Sequence, residues 1–204
     1  MPDFSPQLRQ LITEVASAVI EQSEHLTALD QAIGDGDHGV NMKRGCEAVM
    51  ADLENIAAQP PGEMLKAVGM ALVMKVGGAS GPLYGTAFIT LGKLWPAAEG
   101  APERAQFAEM FGSMIEALKA RGKADFGAKT LLDVLGPVHA ALQGDALPAE
   151  IAKIARQSAE ATIPLQATRG RASFLGERSI GHMDPGACSS ALIIETVCRL
   201  MEEA

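Results

Sequence analysis

Aromatic side chains are scarce in this chain, with one Trp, one Tyr and six Phe in 204 residues. A core must then be filled by Ala, Leu, Ile, Val and the ten Met, a composition that suits close helix packing better than strands. Cysteine is nearly absent too. Cys46, Cys188 and Cys198 are odd in number and lack a C-x-x-C spacing, which excludes a disulfide framework and a zinc knuckle. They read as reduced, mostly buried thiols of a cytoplasmic protein. Positive charge is in short supply, 17 Lys and Arg against 25 Asp and Glu, for a net charge of −8. That excludes nucleic acid and an anionic membrane surface as partners, since affinity there comes from clustered cations. No apolar run is long enough to span a bilayer; the stretch Ala71–Val76 is cut by Lys75. The start, MPDFSPQLRQ, lacks the layout of a signal peptide. Internal repeats and low-complexity linkers are also missing, and residues 1–204 are expected to form one domain.

What is present is helical spacing. Leu8, Leu11, Ile12, Val15 and Val19 form one stripe, and Met42, Cys46, Val49, Leu53 and Ile56 another. Leu65, Val68, Leu72 and Val76 continue it, as do Phe107, Met110, Phe111, Met114 and Leu118. Leu131, Leu135, Val138 and Leu142 follow, then Leu192, Ile193, Val197 and Leu200. With further helices expected over 82–96 and 149–167, the total is about eight in an all-α fold. Pro82 suits the first position of a helix, and Pro164 is expected to end or kink one.

Three interruptions are unlike ordinary connections: LDQAIGDGDHGVN (29–41), KVGGASGPLYGT (75–86) and ATRGRASFLGERSIGHMDPGA (167–187). Irregular segments of the third one's length inside a domain are functional or disordered. Its Arg, Ser, His and Asp content, with Phe174, Leu175 and Ile180, favours function.

The first interruption places Asp30, Asp35 and Asp37 within eight residues. Asp30 and Asp35 would stand about 140° apart on an ideal helix, so only a loop can gather all three. Gly34, Gly36 and Gly39 give it freedom to turn tightly. Crowded carboxylates repel unless a cation lies between them, and oxygen-only ligands select Mg²⁺ or Ca²⁺. The plain alternative is a solvated Asp-Gly turn. An EF-hand is excluded by register, since Gly39 and Cys46 fall at its fifth and twelfth positions. Gly34-x-Gly36-x-x-Gly39 spells a dinucleotide fingerprint but follows a helical pattern and contains two Asp, so it is rejected. No G-x-x-x-x-G-K-[ST] loop occurs.

His38-Gly39-Val40-Asn41 opens the next helix, where free N–H groups attract anions. Gly77-Gly78-Ala79-Ser80-Gly81-Pro82 is a second loop that lets a ligand approach the backbone; a tight interhelical turn is the alternative. Arg169, Arg171 and Arg178 offer charge for a transferring phosphoryl group. Asp184-Pro185-Gly186 is also an ordinary turn tripeptide.

The ordered set LDQAIGDGDHGVNMKRG, KVGGASGPLYGT and RGRASFLGERSIGHMDPGA resembles the L subunits of dihydroxyacetone kinases, over nearly the whole chain. The resemblance implies a barrel of eight antiparallel helices with the nucleotide, ADP or ATP, across one end. It assigns Asp30, Asp35 and Asp37 to two Mg²⁺ ions bridging the phosphates. His38, Gly39, Val40, Asn41, Ala79 and Ser80 would contact the phosphate chain. Gly122, Leu131, Asp184, Pro185 and Gly186 would help hold the nucleotide, and Arg171 would lie near the phosphates. The sugar would be bound by a separate K subunit. Two donor schemes fit: an exchanging ATP, for dihydroxyacetone or another short ketose, or a captive ADP rephosphorylated by a phosphotransferase-system phosphocarrier, the M subunit. A non-catalytic, nucleotide-loaded regulatory module is the reading from another class. Two departures stand out: Gly36 replaces the family's usual Ala, and the family's G-D-K-T turn is here Gly127-Ala128-Lys129-Thr130.

Overall fold

The computed structural model describes residues 4–96 and 100–203, which fold into ten α-helices and one 3-10 stretch with no strand. In chain order these are α1 (Ser5–Glu21), α2 (Ser23–Ile33), α3 (His38–Ala51), α4 (Leu53–Ala57) and α5 (Pro61–Lys75). They continue as α6 (Ser80–Leu94), α7 (Arg104–Gly122), α8 (Leu132–Gln143), α9 (Pro148–Glu160) and α10 (Pro185–Glu203). The 3-10 stretch is Arg171–Ser179, broken at Gly176. The count exceeds eight because α2 resumes after one residue at the end of α1, and α4 is a five-residue turn of helix.

The apolar stripes of α1, α3, α5, α7 and α8 are core faces, whereas on α10 the buried face is Ala187, Ala191, Cys198 and Leu200, and Leu192, Ile193 and Val197 of the expected stripe are only half-buried. Leu8, Ile12 and Val19 of α1 pack with Met42, Cys46 and Val49 of α3 and with Met64, Val68 and Leu72 of α5. A second cluster joins Phe111, Met114 and Leu118 of α7 to Leu132, Leu135 and Val138 of α8, Ile151 and Ala155 of α9, and Ala187 and Ala191 of α10. Leu91 of α6 packs against both clusters. Neighbour contacts run from α1 to α3, α5, α6, α7, α8, α9 and α10, and α10 returns to α1. No helix among the described residues is long and apolar enough to cross a membrane.

Two boundaries differ from the sequence expectation. Helix α6 begins at Ser80, so Pro82 is its third residue, still inside the first turn where an N–H has no helical partner. Helix α9 ends at Glu160, and Pro164 lies in the turns beyond it rather than kinking it.

Helices α5 and α6 meet through paired glycines. A Cβ on Gly62 would lie 2.8 Å from the Gly92 carbonyl oxygen, and one on Gly92 would lie 2.4 Å from that of Gly62. Gly69 and Gly85 face each other likewise, at 2.8 and 2.9 Å. Backbone meets backbone at these points, so a methyl group can be admitted only by moving a helix. Gly92→Ala is therefore expected to cost about 2 kcal/mol or more, read by urea denaturation. Gly144→Ala, whose Cβ would meet only ordinary contacts at 3.7 Å, is expected to stay within about 0.5 kcal/mol of wild type.

Candidate metal centre

Helix α2 stops at Ile33 and the chain must turn within four residues into α3. Gly34 makes the turn feasible because a Cβ there would lie 2.0 Å from Asp30 Oδ1. Gly36 has φ +74°, a left-handed conformation that glycine adopts without strain. Gly39 has a different role: it lies inside α3, where a Cβ would fall 1.9 Å from the Ser23 carbonyl oxygen, so it lets α3 press against α2.

The turn brings Asp30, Asp35 and Asp37 together, with carboxylate oxygens all within 4.8 Å of one another. Asp30 is 7% exposed, while the other two reach solvent. Asp30 Oδ2 accepts the backbone N–H of Asp37 at 2.8 Å and of His38 at 3.0 Å. Two of the amides at the helix start are thus committed to a carboxylate of the cluster. Arg171, from the 3-10 stretch, places Nε 2.8 Å from Asp35 Oδ2. Three oxygen donors at this separation, with one open side, suit a hard divalent cation.

His38 joins the acidic turn to the second loop and to α10. Its ring is 6% exposed; Nδ1 is 2.9 Å from Ser80 Oγ and Nε2 is 2.9 Å from Ser189 Oγ. Ser189 Oγ is in turn 2.7 Å from the hydroxyl of Tyr84, which lies 2.9 Å from Ser190 Oγ. Burial lowers the His38 pKa from its usual value, opposed by the charges of Asp30 and Asp37, so the ring is neutral at neutral pH and can donate at one nitrogen and accept at the other. Ala79 caps α6 just before Ser80. The second loop and the start of α10 are thereby fixed to the acidic turn.

The remaining expected positions lie around the first turns of α6 and α10. Gly122 packs against Leu83 of α6, and Leu131 against Gly186. Asp184 precedes Pro185 and accepts the amide of Ala187 at 2.7 Å, a helix cap. The Gly127–Thr130 turn is held from within. Lys129, 1% exposed and at φ +62°, places its ammonium, with three N–H groups, among the carbonyl oxygens of Thr162, Ile163, Leu165 and His182 at 2.9, 3.3, 3.0 and 2.5 Å. It ties the turns after α9, and His182 of the third loop, to the turn that leads into α8. Ser189, Tyr84 and Lys129 were not singled out by sequence reading. Tyr84 is the only tyrosine of the chain, the one hint the sequence offered.

A surface depression of about 420 Å³ between Phe126, Asp133, Gly136, Pro137 and His139 does not include the carboxylates. It has a few scattered polar groups rather than a converging set, and the acidic turn is the better candidate site.

Comparison with known proteins bears on the family and the fold. The family model for the DAK2 domain matches residues 32–199. The chain is 42% identical, over 91% of each chain, to the PEP-dependent dihydroxyacetone kinase 1, ADP-binding subunit DhaL of Listeria innocua. It is 43% identical, over 89% of this chain and 90% of the other, to the PTS-dependent dihydroxyacetone kinase, ADP-binding subunit DhaL of Lactococcus lactis. The crystal structure of the C. freundii dihydroxyacetone kinase in complex with AMP-PNP and Mg²⁺ shares the fold, with a TM-score of 0.76 at 23% identity. That alignment covers 98% of this chain and 34% of that kinase.

Asp184 generates a pH prediction. Burial pushes its carboxyl up to about 7, against the pull of the Ala187 amide and with a further push from Asp133. The folded chain then holds a proton that the unfolded chain releases near the ordinary carboxylate value. Stability is therefore lost through this group as pH rises from about 4 to about 7, and no more is lost above that. Asp184→Asn is expected to gain stability relative to wild type across that window, with a constant difference above it. Urea denaturation in chelator from about pH 5 to about pH 8 reads this; a flat difference would give Asp184 an ordinary pKa.

Proposed function

The chain belongs to the DAK2 domain family, and we propose that it is the nucleotide-carrying phosphotransfer subunit of a dihydroxyacetone kinase. In this reading residues 1–204 work as one unit that presents an adenine nucleotide. The acceptor, dihydroxyacetone, is held by a separate K subunit. The observation that carries the reading is the convergence of Asp30, Asp35 and Asp37 with oxygens within 4.8 Å.

Asp30, Asp35 and Asp37 would hold Mg²⁺, two ions in this reading, and would leave part of the metal's shell to phosphate oxygens and water. Bound there, the metal neutralises the charge of the phosphate chain. The chain's own residues do the positioning. Asp30 is kept in place by the two amides it accepts, and Gly39 and Val40 offer N–H groups to the phosphates. Ala79 and Ser80 approach from the second loop, and His38 acts by holding Ser80. Asn41 adds a side-chain amide. Gly122, Leu131 and Asp184-Pro185-Gly186 hold the remainder of the nucleotide. Arg171, paired with Asp35, is the cation assigned to charge developing on the transferred phosphoryl group.

Phosphoryl transfer asks for positioning and neutralisation more than for covalent chemistry from the nucleotide-holding protein. A base acting on the sugar hydroxyl belongs to the K subunit in this scheme. The Listeria and Lactococcus relatives, each an ADP-binding subunit of a PEP- or PTS-dependent kinase, support a captive coenzyme. ADP stays bound and is rephosphorylated by a phosphotransferase-system phosphocarrier, the M subunit.

Asp35→Asn or Asp37→Asn is expected to abolish Mg²⁺-dependent ADP binding by calorimetry while the helical circular dichroism survives; unchanged affinity would defeat the assignment. Native mass spectrometry of freshly purified protein is expected to show ADP and magnesium still attached. An empty protein that turns over ATP with a K subunit would replace the captive coenzyme by an exchanging one.

A further inference from the structure

Asn41 lies in the first turn of α3 and is only 6% exposed. Its side-chain oxygen accepts a hydrogen bond from Arg44, with Nη2 2.7 Å from Oδ1. Its NH₂ group has no protein partner among the described residues. A guanidinium carries donors only, so the atom it holds must be the oxygen. Arg44 therefore decides which way round the Asn41 amide stands.

Arg44 is itself anchored. Its Nε donates to the carbonyl of Lys75 at 2.7 Å, the last residue of α5, where carbonyls have no helical partner. Gly77, the next residue but one, closes over the pair. A Cβ at Gly77 would lie 2.8 Å from Asn41 Oδ1 and 3.1 Å from Arg44 Nη2. One side chain thus joins the start of α3 to the entrance of the second loop.

We infer that Arg44 is a positioning residue, which holds the Asn41 amide so that its NH₂, and not its oxygen, faces the nucleotide's phosphates. The inference rests on the functional reading above. An N–H pair attracts phosphate oxygens; a carbonyl turned to the same place would repel them and would suit a cation instead. Polarity at this one amide separates a phosphate contact from a metal contact.

Asn41→Asp tests the polarity directly, because both its outer atoms are acceptors. It is expected to bind ADP with Mg²⁺ about a hundredfold more weakly, as befits an anion set against an anion, yet to melt no lower than wild type, since Arg44 gains a full carboxylate partner. Arg44→Met is expected to weaken ADP about tenfold, the scale of one hydrogen bond, with partial recovery in Arg44→Lys. Adding Asn41→Ala to Arg44→Met should then cost less than about twofold more, because the two act as one unit. Calorimetry reads affinity and thermal melting reads the fold. Asn41→Asp binding as tightly as wild type, or losses in Arg44→Met and Asn41→Ala that multiply, would overturn the inference while leaving the functional reading intact. A wild type that takes up no ADP, indistinguishable from Asp35→Asn, would overturn the functional reading and this inference with it.

Discussion

Gathering three carboxylates within 4.8 Å costs electrostatic repulsion, and the rest of the site is arranged around that cost. The fold offsets it with donors rather than with distance. Asp30 takes two amides from the turn into α3, and Asp35 takes a guanidinium from a loop more than a hundred residues further along. The positive end of α3 adds to both. The same donors hold the carboxylates in one geometry, which is what a small hard cation requires. Charge neutralisation and positioning are one arrangement here.

Around that turn the site is built from neutral hydrogen bonds. His38 is buried deeply enough to stay uncharged, and so it can serve one hydroxyl at each nitrogen. A protonated ring would have two donors, and at least one serine would have to reverse its own bond to fit. Neutral partners keep the loops together without adding charge beside the acidic turn. Lys129 is the exception, a buried cation, and it spends its charge on four carbonyls of the segment that carries Arg171 and Asp184. The Gly127–Thr130 turn is held by this lysine and by the Ala128 carbonyl, which accepts the amide of Thr168.

The distance between helices is set elsewhere, by glycines with no part in the site. Gly62 with Gly92 and Gly69 with Gly85 allow α5 and α6 to touch backbone to backbone, and these two helices carry the second loop between them. Ser80 can reach His38 only because that loop is delivered close to α3. Packing and chemistry are linked through the register of one helix pair.

Much of this was legible in the sequence. A spacing of three and four residues is a local property, so the core faces of α1, α3, α5, α7 and α8 could be read directly, and so could a cluster of three Asp that no single helix can gather. The loops stood out because the periodicity failed there. What only the tertiary structure decided were pairings over long separations: His38 with Ser189 across 151 residues, Lys129 with His182 across 53, Arg44 with the end of α5 across 31. A serine or lysine that bonds a distant carbonyl or ring has the same letters around it as one in water. Periodicity records which face of a helix is dry; it does not record what that face will meet.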